Sequence, residues 1–135
     1  MANALYAKGK QAILTGSIDF TSATIKVALL DGADYTPNLS THDFLDDVAG
    51  AAIVGTAQTL AGKSVTDGVF DADDVTFTAV SGDQFEYLLL YKDTGASATS
   101  PLIALWDTAT GLAFTPSGSD IILTWSNGAS KIFAL

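Results

Sequence analysis

Alternation of apolar and polar positions dominates the chain. Ile25, Val27 and Leu29 alternate with Lys26 and Ala28, and Val75, Phe77 and Ala79 alternate with Thr76 and Thr78, the period of strands with one buried face. The run 85–92 is apolar on both faces, with Phe85, Tyr87, Leu89 and Tyr91 on one side and Leu88 and Leu90 on the other. Such a run predicts a central strand, covered by an opposing sheet and by an N-terminal helix. Leu102 to Trp106 and Ile121 to Trp125 repeat the theme. Asn127-Gly128 supplies two positive-φ positions of a type I′ turn, so 121–125 and 131–135 are expected to close the chain as a hairpin. The alanine- and glycine-rich stretch 50–68 lacks a clear period. It predicts one weak strand, Ala52 to Leu60, followed by a loop.

Helical spacing is confined to two places. Asn3 to Gly16 predicts a helix, with Asn3 as its cap and Gly16 as the left-handed residue that ends it. Leu5, Gly9, Ala12 and Ile13 share one face, and the small residues among them let the helix lie close to a sheet. A second helical turn is expected at Ser40, where Ser40 and Asp43 have capping-box spacing and Leu39 with Phe44 fits a hydrophobic staple. Turn chemistry recurs at Ser81-Gly82-Asp83, Asp93-Thr94-Gly95, Thr110-Gly111 and Ser117-Gly118. The expected fold is therefore all-β, mainly an antiparallel β-sandwich of jelly-roll or Ig-like type, with an N-terminal α-helix and one short helical turn. At 135 residues the expectation is one domain, with helix 1–16 leading into a sandwich over 24–135.

Composition narrows the function classes. Hydrophobic residues make up 48% of the chain and charged residues 16%, which is the balance of a folded domain and not of a disordered one. Serine and threonine together number 27, so many exposed strand positions carry hydroxyls where charge is scarce. The net charge is −9, and the six lysines are scattered and unsupported by arginine. That pattern cannot form the positive stripe that grips phosphates, so no nucleic-acid partner is expected. No apolar run approaches a membrane span and no signal peptide opens the chain, so neither a membrane partner nor secretion is expected. With no cysteine, the chain has no disulfide, thiolate ligand or thiol nucleophile.

Several groupings could carry chemistry. The stretch from Gly55 to Gly62-Lys63-Ser64 ends like a phosphate-binding loop, but Ala57 stands where that spacing needs glycine and no helix is predicted after Ser64. A polar loop with a solvated lysine is the better account. Asp67, Asp71, Asp73 and Asp74 form the densest acidic cluster and are a candidate calcium site, although their spacing is not that of an EF-hand. A solvated strand entry explains them as well. His42 is the only imidazole and falls in the expected capping turn, and no Gly-x-Ser-x-Gly elbow occurs. No enzymatic activity and no cofactor are expected. Trp106 and Trp125, near strand ends, are a candidate contact surface for protein or carbohydrate, against the simpler reading as core.

In order along the chain, several segments resemble a family of small virion structural proteins of tailed bacteriophages and prophages. They are Ala4-Leu5-Tyr6-Ala7-Lys8-Gly9-Lys10, Ile25-Lys26-Val27-Ala28-Leu29 leading to Asp34-Tyr35-Thr36, and Ser40-Thr41-His42-Asp43-Phe44-Leu45. Further along come Asp73-Asp74-Val75-Thr76-Phe77, Ser81-Gly82-Asp83-Gln84, Tyr91-Lys92-Asp93-Thr94-Gly95, Trp125-Ser126-Asn127-Gly128 and Lys131-Ile132-Phe133. The resemblance covers nearly the whole chain and brings no catalytic signature. It implies a capsid decoration (cement) protein on the virion surface, made in the host cytoplasm. Its partners would be the major capsid protein and copies of itself, with a trimer favoured. The alternative it leaves open is a tail, neck or baseplate component with a glycan- or receptor-binding surface around the tryptophans.

Overall fold

A computed structural model describes residues 3–135. The chain is mainly β, with three antiparallel sheets, one α-helix and short 3-10 turns. In chain order the elements are β1 (Ala4–Leu5), α1 (Ala7–Leu14), β2 (Ile25–Leu30), β3 (Ile53–Thr59), β4 (Ser64–Thr66) and β5 (Val69–Asp71). Then come β6 (Val75–Phe77), β7 (Tyr87–Lys92), β8 (Leu102–Trp106), β9 (Ile121–Leu123) and β10 (Phe133–Ala134). The largest sheet runs β1-β8-β7-β2-β3; β10-β5-β4 and β6-β9 form the two smaller ones.

As its two-sided apolar pattern predicts, β7 is the central strand, paired with β2 from Ile25↔Lys92 to Leu30↔Tyr87 and with β8 on its other side. One face of the large sheet joins Val27, Leu29, Leu88 and Leu90 to Phe70, Phe77 and Trp125 of the small-sheet region. The other face buries Ala28, Leu30, Leu89 and Tyr91 beneath Tyr6, Tyr35, Val48 and Ala52. The second cover is thus Tyr6 and irregular chain from the 31–52 connection, and not the expected N-terminal helix, whose Ala12 and Ile13 pack on the first face. Phe85 departs from its expected face: it stands before the strand begins, forms an isolated bridge with Phe114, and packs with Leu88 and Leu90.

Helix α1 is shorter than the sequence suggests. Residues 4–5 pair with β8 as strand, and Asn3 does not cap the helix. Its side-chain oxygen instead accepts the N–H groups of Asp107 and Thr108 at 2.9 and 3.0 Å, tying the chain start to the end of β8. Gly16, at φ +77°, fills the expected left-handed position after the helix. Gly9 is buried against β8, where an added Cβ would lie 2.5 Å from the Leu102 carbonyl oxygen.

The expected capping box at Ser40 does not form. Asn38 initiates that turn, its Oδ1 accepting the N–H of Ser40 and Thr41 at 3.1 and 3.2 Å. Asp43 donates its own N–H to Asp47 Oδ2 at 2.8 Å, and the 3-10 turn follows at Leu45–Asp47.

The terminal hairpin is also overturned. β9 pairs with β6 (Phe77↔Ile121) and β10 with β5 (Phe133↔Phe70), so the two final strands belong to different sheets. Trp125 is held away from the terminus because its N–H donates to Asp74 Oδ1 at 3.0 Å and its indole N–H to the Asp73 carbonyl at 3.2 Å. The two consecutive positive-φ residues of a type I′ turn occur instead at Asp67 (φ 52°) and Gly68 (φ 80°), joining β4 to β5 with Thr66 opposite Val69. The predicted loop after residue 60 therefore contains a strand, and the weak strand before it is β3. Within β3, Gly55 has φ +70° and the register slips, with Val54 opposite Leu29 but Gln58 opposite Val27. The glycine of the phosphate-loop-like stretch serves a bulge.

Candidate functional site

Titratable side chains converge around one buried line. The Tyr6 and Tyr35 hydroxyls lie 2.9 Å apart, and Tyr35 lies 2.8 Å from His42 Nδ1. The Asn38 N–H also points at that nitrogen, at 3.3 Å. A backbone N–H can only donate, so Nδ1 accepts; Tyr35 then donates to His42 and Tyr6 donates to Tyr35. The ring proton belongs on Nε2, and neither imidazole nitrogen of neutral His42 offers a free lone pair for base catalysis. Burial pushes the Tyr6 phenol far above its ordinary range, and burial also raises Tyr35. Asp47 is held low chiefly by the Asp43 N–H, with further help from the Phe44 N–H and His42. The arrangement fastens the 31–52 cover to the start of α1.

The proposed calcium ligands are not brought together. Asp67 occupies the β4–β5 turn, Asp71 lies 4.0 Å from the Lys131 ammonium, and Asp74 accepts the Trp125 N–H. The Asp73 carboxylate packs against Gly62, whose missing Cβ makes room for it. A different trio, Asp31, Asp34 and Asp83, places one oxygen from each residue within 4.8 Å of the others. Sequence reasoning missed it because its members come from two separate loops. The first loop is closed by its own bonds: Asp31 Oδ1 accepts the Ala33 N–H at 2.8 Å and Glu86 Oε2 the Gly32 N–H at 2.7 Å. Ser64 opens β4 where a phosphate loop would need a helix, and the Lys63 ammonium donates to the Ala23 carbonyl.

The two tryptophans do meet, with ring centroids 5.8 Å apart and planes at 53°. Trp125 is buried, whereas Trp106 is half-buried and reaches a shallow groove beside Leu5, Ile132 and Phe133. They form one core contact with a single surface-reaching ring.

A more open feature lies over Leu29 and Leu88. A cavity of about 290 Å³ is walled by these two residues, Phe85, Leu112, Ile121 and Leu123. Phe114 and Ile122, at 39% and 68% exposure, also line it. Among its lining residues Asp120 is the acidic one, and no lysine lines it. Its walls come from β2, β7, β9 and the 109–114 segment, so no contiguous motif announces it.

Cations gather elsewhere. Lys26 pairs with Asp93 at 2.9 Å, Lys92 donates to the Ser17 carbonyl at 2.8 Å, and Lys63 and Lys131 are engaged as described. Lys8 and Lys10, exposed on different sides of α1, have no hydrogen bond or ion pair among the described residues. Leu14 follows one turn after Lys10 and is 84% exposed. Among the described residues, no helix is long and apolar enough to cross a membrane. A scan against protein-family models matches no family, and a search of curated proteins finds no matching relative.

Proposed function

We propose that this chain is a structural protein of a tailed-bacteriophage virion, a capsid decoration (cement) protein that binds and stabilises the assembled head shell. The observation that carries the reading is the contrast between its two apolar populations. A doubly covered central sheet gives a rigid body, while Leu14, Val65, Ile122 and Leu135 stand at 84, 49, 68 and 65% exposure on peripheral elements. Outward apolar side chains on a rigid acidic body suit attachment to other proteins. Engagement of four of the six lysines within the chain supports a protein partner over nucleic acid. We read the three sheets as a sandwich in which the small ones back one face of the large one. The reading assigns no catalytic step: the protein acts by linkage, stabilising the lattice because it binds only the assembled form.

Cosedimentation with expanded, DNA-free capsids tests this. Saturable binding to shells and none to isolated tails is the expected result. Binding to tails or host glycans alone overturns the decoration role in favour of a tail, neck or baseplate position.

A further inference from the structure

We propose that Asn127-Gly128 is a self-modification site, at which the folded chain deamidates spontaneously to isoaspartate and aspartate. The inference stands apart from the decoration role. Attack of a backbone nitrogen on the preceding carboxamide needs a side chain free to turn, no Cβ on the following residue and a nitrogen outside any ladder. Asn127-Gly128 has all three. Residues 124–132 lie between β9 and β10, and 126–130 are exposed. The Asn127 carboxamide makes no hydrogen bond among the described residues. The Gly128 N–H donates to the rotatable Ser126 Oγ at 3.0 Å, and beyond its chain neighbours a Cβ built on Gly128 would meet no other atom within 4 Å. A type I′ turn would hold both residues at positive φ, and neither adopts it. The bonds from Trp125 to Asp73 and Asp74 that displace the hairpin thus leave the dipeptide free to react.

The chain's other two asparagines are held. Asn3 accepts the Asp107 and Thr108 N–H groups at Oδ1 and donates from Nδ2 to the Thr108 carbonyl at 2.9 Å, and Asn38 Oδ1 accepts the Ser40 and Thr41 N–H groups. They precede Ala4 and Leu39, whose side chains crowd the attacking nitrogen. Asp31-Gly32 and Asp67-Gly68 could close the same ring, but a carboxylate is a weaker electrophile than an amide. The Gly32 N–H is also taken by Glu86 Oε2 at 2.7 Å, and Asp67 and Gly68 are fixed at positive φ in the β4–β5 turn. In the reaction the Gly128 nitrogen bonds to Asn127 Cγ, the Cγ–Nδ2 bond breaks, and ammonia leaves with the proton of the Gly128 amide. Water then opens the succinimide at either carbonyl, giving aspartate, or isoaspartate with the main chain running through the former side chain. Either product adds one negative charge to the net −9. The extra backbone carbon of isoaspartate falls in an unpaired segment between the Trp125 bonds and Ile132, whose N–H donates to the Phe70 carbonyl at 3.1 Å.

Ageing the purified chain at physiological pH and temperature, followed by tryptic digestion and mass spectrometry, tests this. Cleavage after Lys92 and Lys131 releases 93–131, in which Asn127 is the sole side-chain amide, so an amide-to-acid mass gain there has one source. That peptide should split with time into two products, the larger a substrate for isoaspartyl methyltransferase, while the peptides carrying Asn3 and Asn38 stay unchanged. The folded chain should react within a few-fold of the rate of the same chain unfolded in urea at the same pH, since the fold places no restraint on the dipeptide. Gly128→Ala should slow the loss several-fold, with the urea midpoint confirming that the variant is folded. A folded chain that keeps its amide while the unfolded one loses it, a Gly128→Ala chain that reacts as fast as wild type, or earlier loss at Asn3 or Asn38 overturns the proposal.

Discussion

Replacing Gly9 by alanine sets two physical effects of opposite sign against each other at one position. In an open helix the change stabilises by about 1 kcal/mol, because glycine has more backbone freedom to lose. Here the new Cβ would lie 2.5 Å from the Leu102 carbonyl oxygen, 2.9 Å from that of Ile103 and 3.0 Å from the Ile103 Cα. All three atoms are backbone of β8, a strand paired on both sides, so none can rotate away. Carbon–oxygen contacts settle near roughly 3.3–3.6 Å, so α1 must retreat by about 1 Å. That displacement strains the 2.9 Å bond from the Tyr6 N–H to the Ile103 carbonyl and lifts Tyr6 from its fully buried seat.

Overpacking of this kind costs about 1–3 kcal/mol, and loss of the backbone bond adds about 1 kcal/mol. Cost exceeds gain. Gly9→Ala should lower stability by about 1–3 kcal/mol, read as a fall in the urea midpoint at constant m value, or as roughly 3–10 °C in Tm. Gly50→Ala is the control, since nothing lies within 4 Å of its Cβ and its change should be near neutral. A Gly9→Ala chain as stable as wild type, or more so, would refute the close approach of helix and strand.

Further outcomes follow from the same structure. Gly68→Ala, at φ +80° with its Cβ 3.0 Å from the Leu135 carbonyl, should cost about 1–2 kcal/mol in urea melts. Gly128→Ala meets only the rotatable Ser126 hydroxyl at 3.2 Å and should stay within about 0.5 kcal/mol; the opposite ranking would restore the terminal hairpin. Burial raises Tyr6, Tyr35 and Tyr91, so their contribution is intact below the unfolded phenol value of about 10 and is lost as pH rises above it. Phenolate absorbance should accordingly show ionisation coupled to unfolding. Asp93 is lowered by the Gly95 N–H and then by Lys26, and Asp47 by the Asp43 N–H. Their stabilisation is present above about 3.9 and fades as pH falls through the lower folded values, and Asp93→Asn should flatten that acid limb. Because Asp67, Asp71, Asp73 and Asp74 are dispersed, millimolar calcium at matched ionic strength should leave Tm unchanged, and a calcium-specific rise would refute that placement.

The elements legible in the sequence are those whose burial is decided by neighbours along the strand. β7 up to Lys92, β8 throughout and β2 from Val27 onward carry apolar runs because both faces of their sheet are covered, and such runs state their own length. β4 could not be read that way: Ser64, Val65 and Thr66 are all exposed, leaving no apolar–polar contrast. Asp67-Gly68 and Asn127-Gly128 have similar turn chemistry, so local propensity does not choose between them. The choice is made by bonds from Asp73 and Asp74 to Trp125, some 51 residues away. The same limitation hid the cavity, whose walls meet only in the folded chain. Leu14 and Lys10 were visible as residues, but nothing local says that one is unburied and the other unpaired.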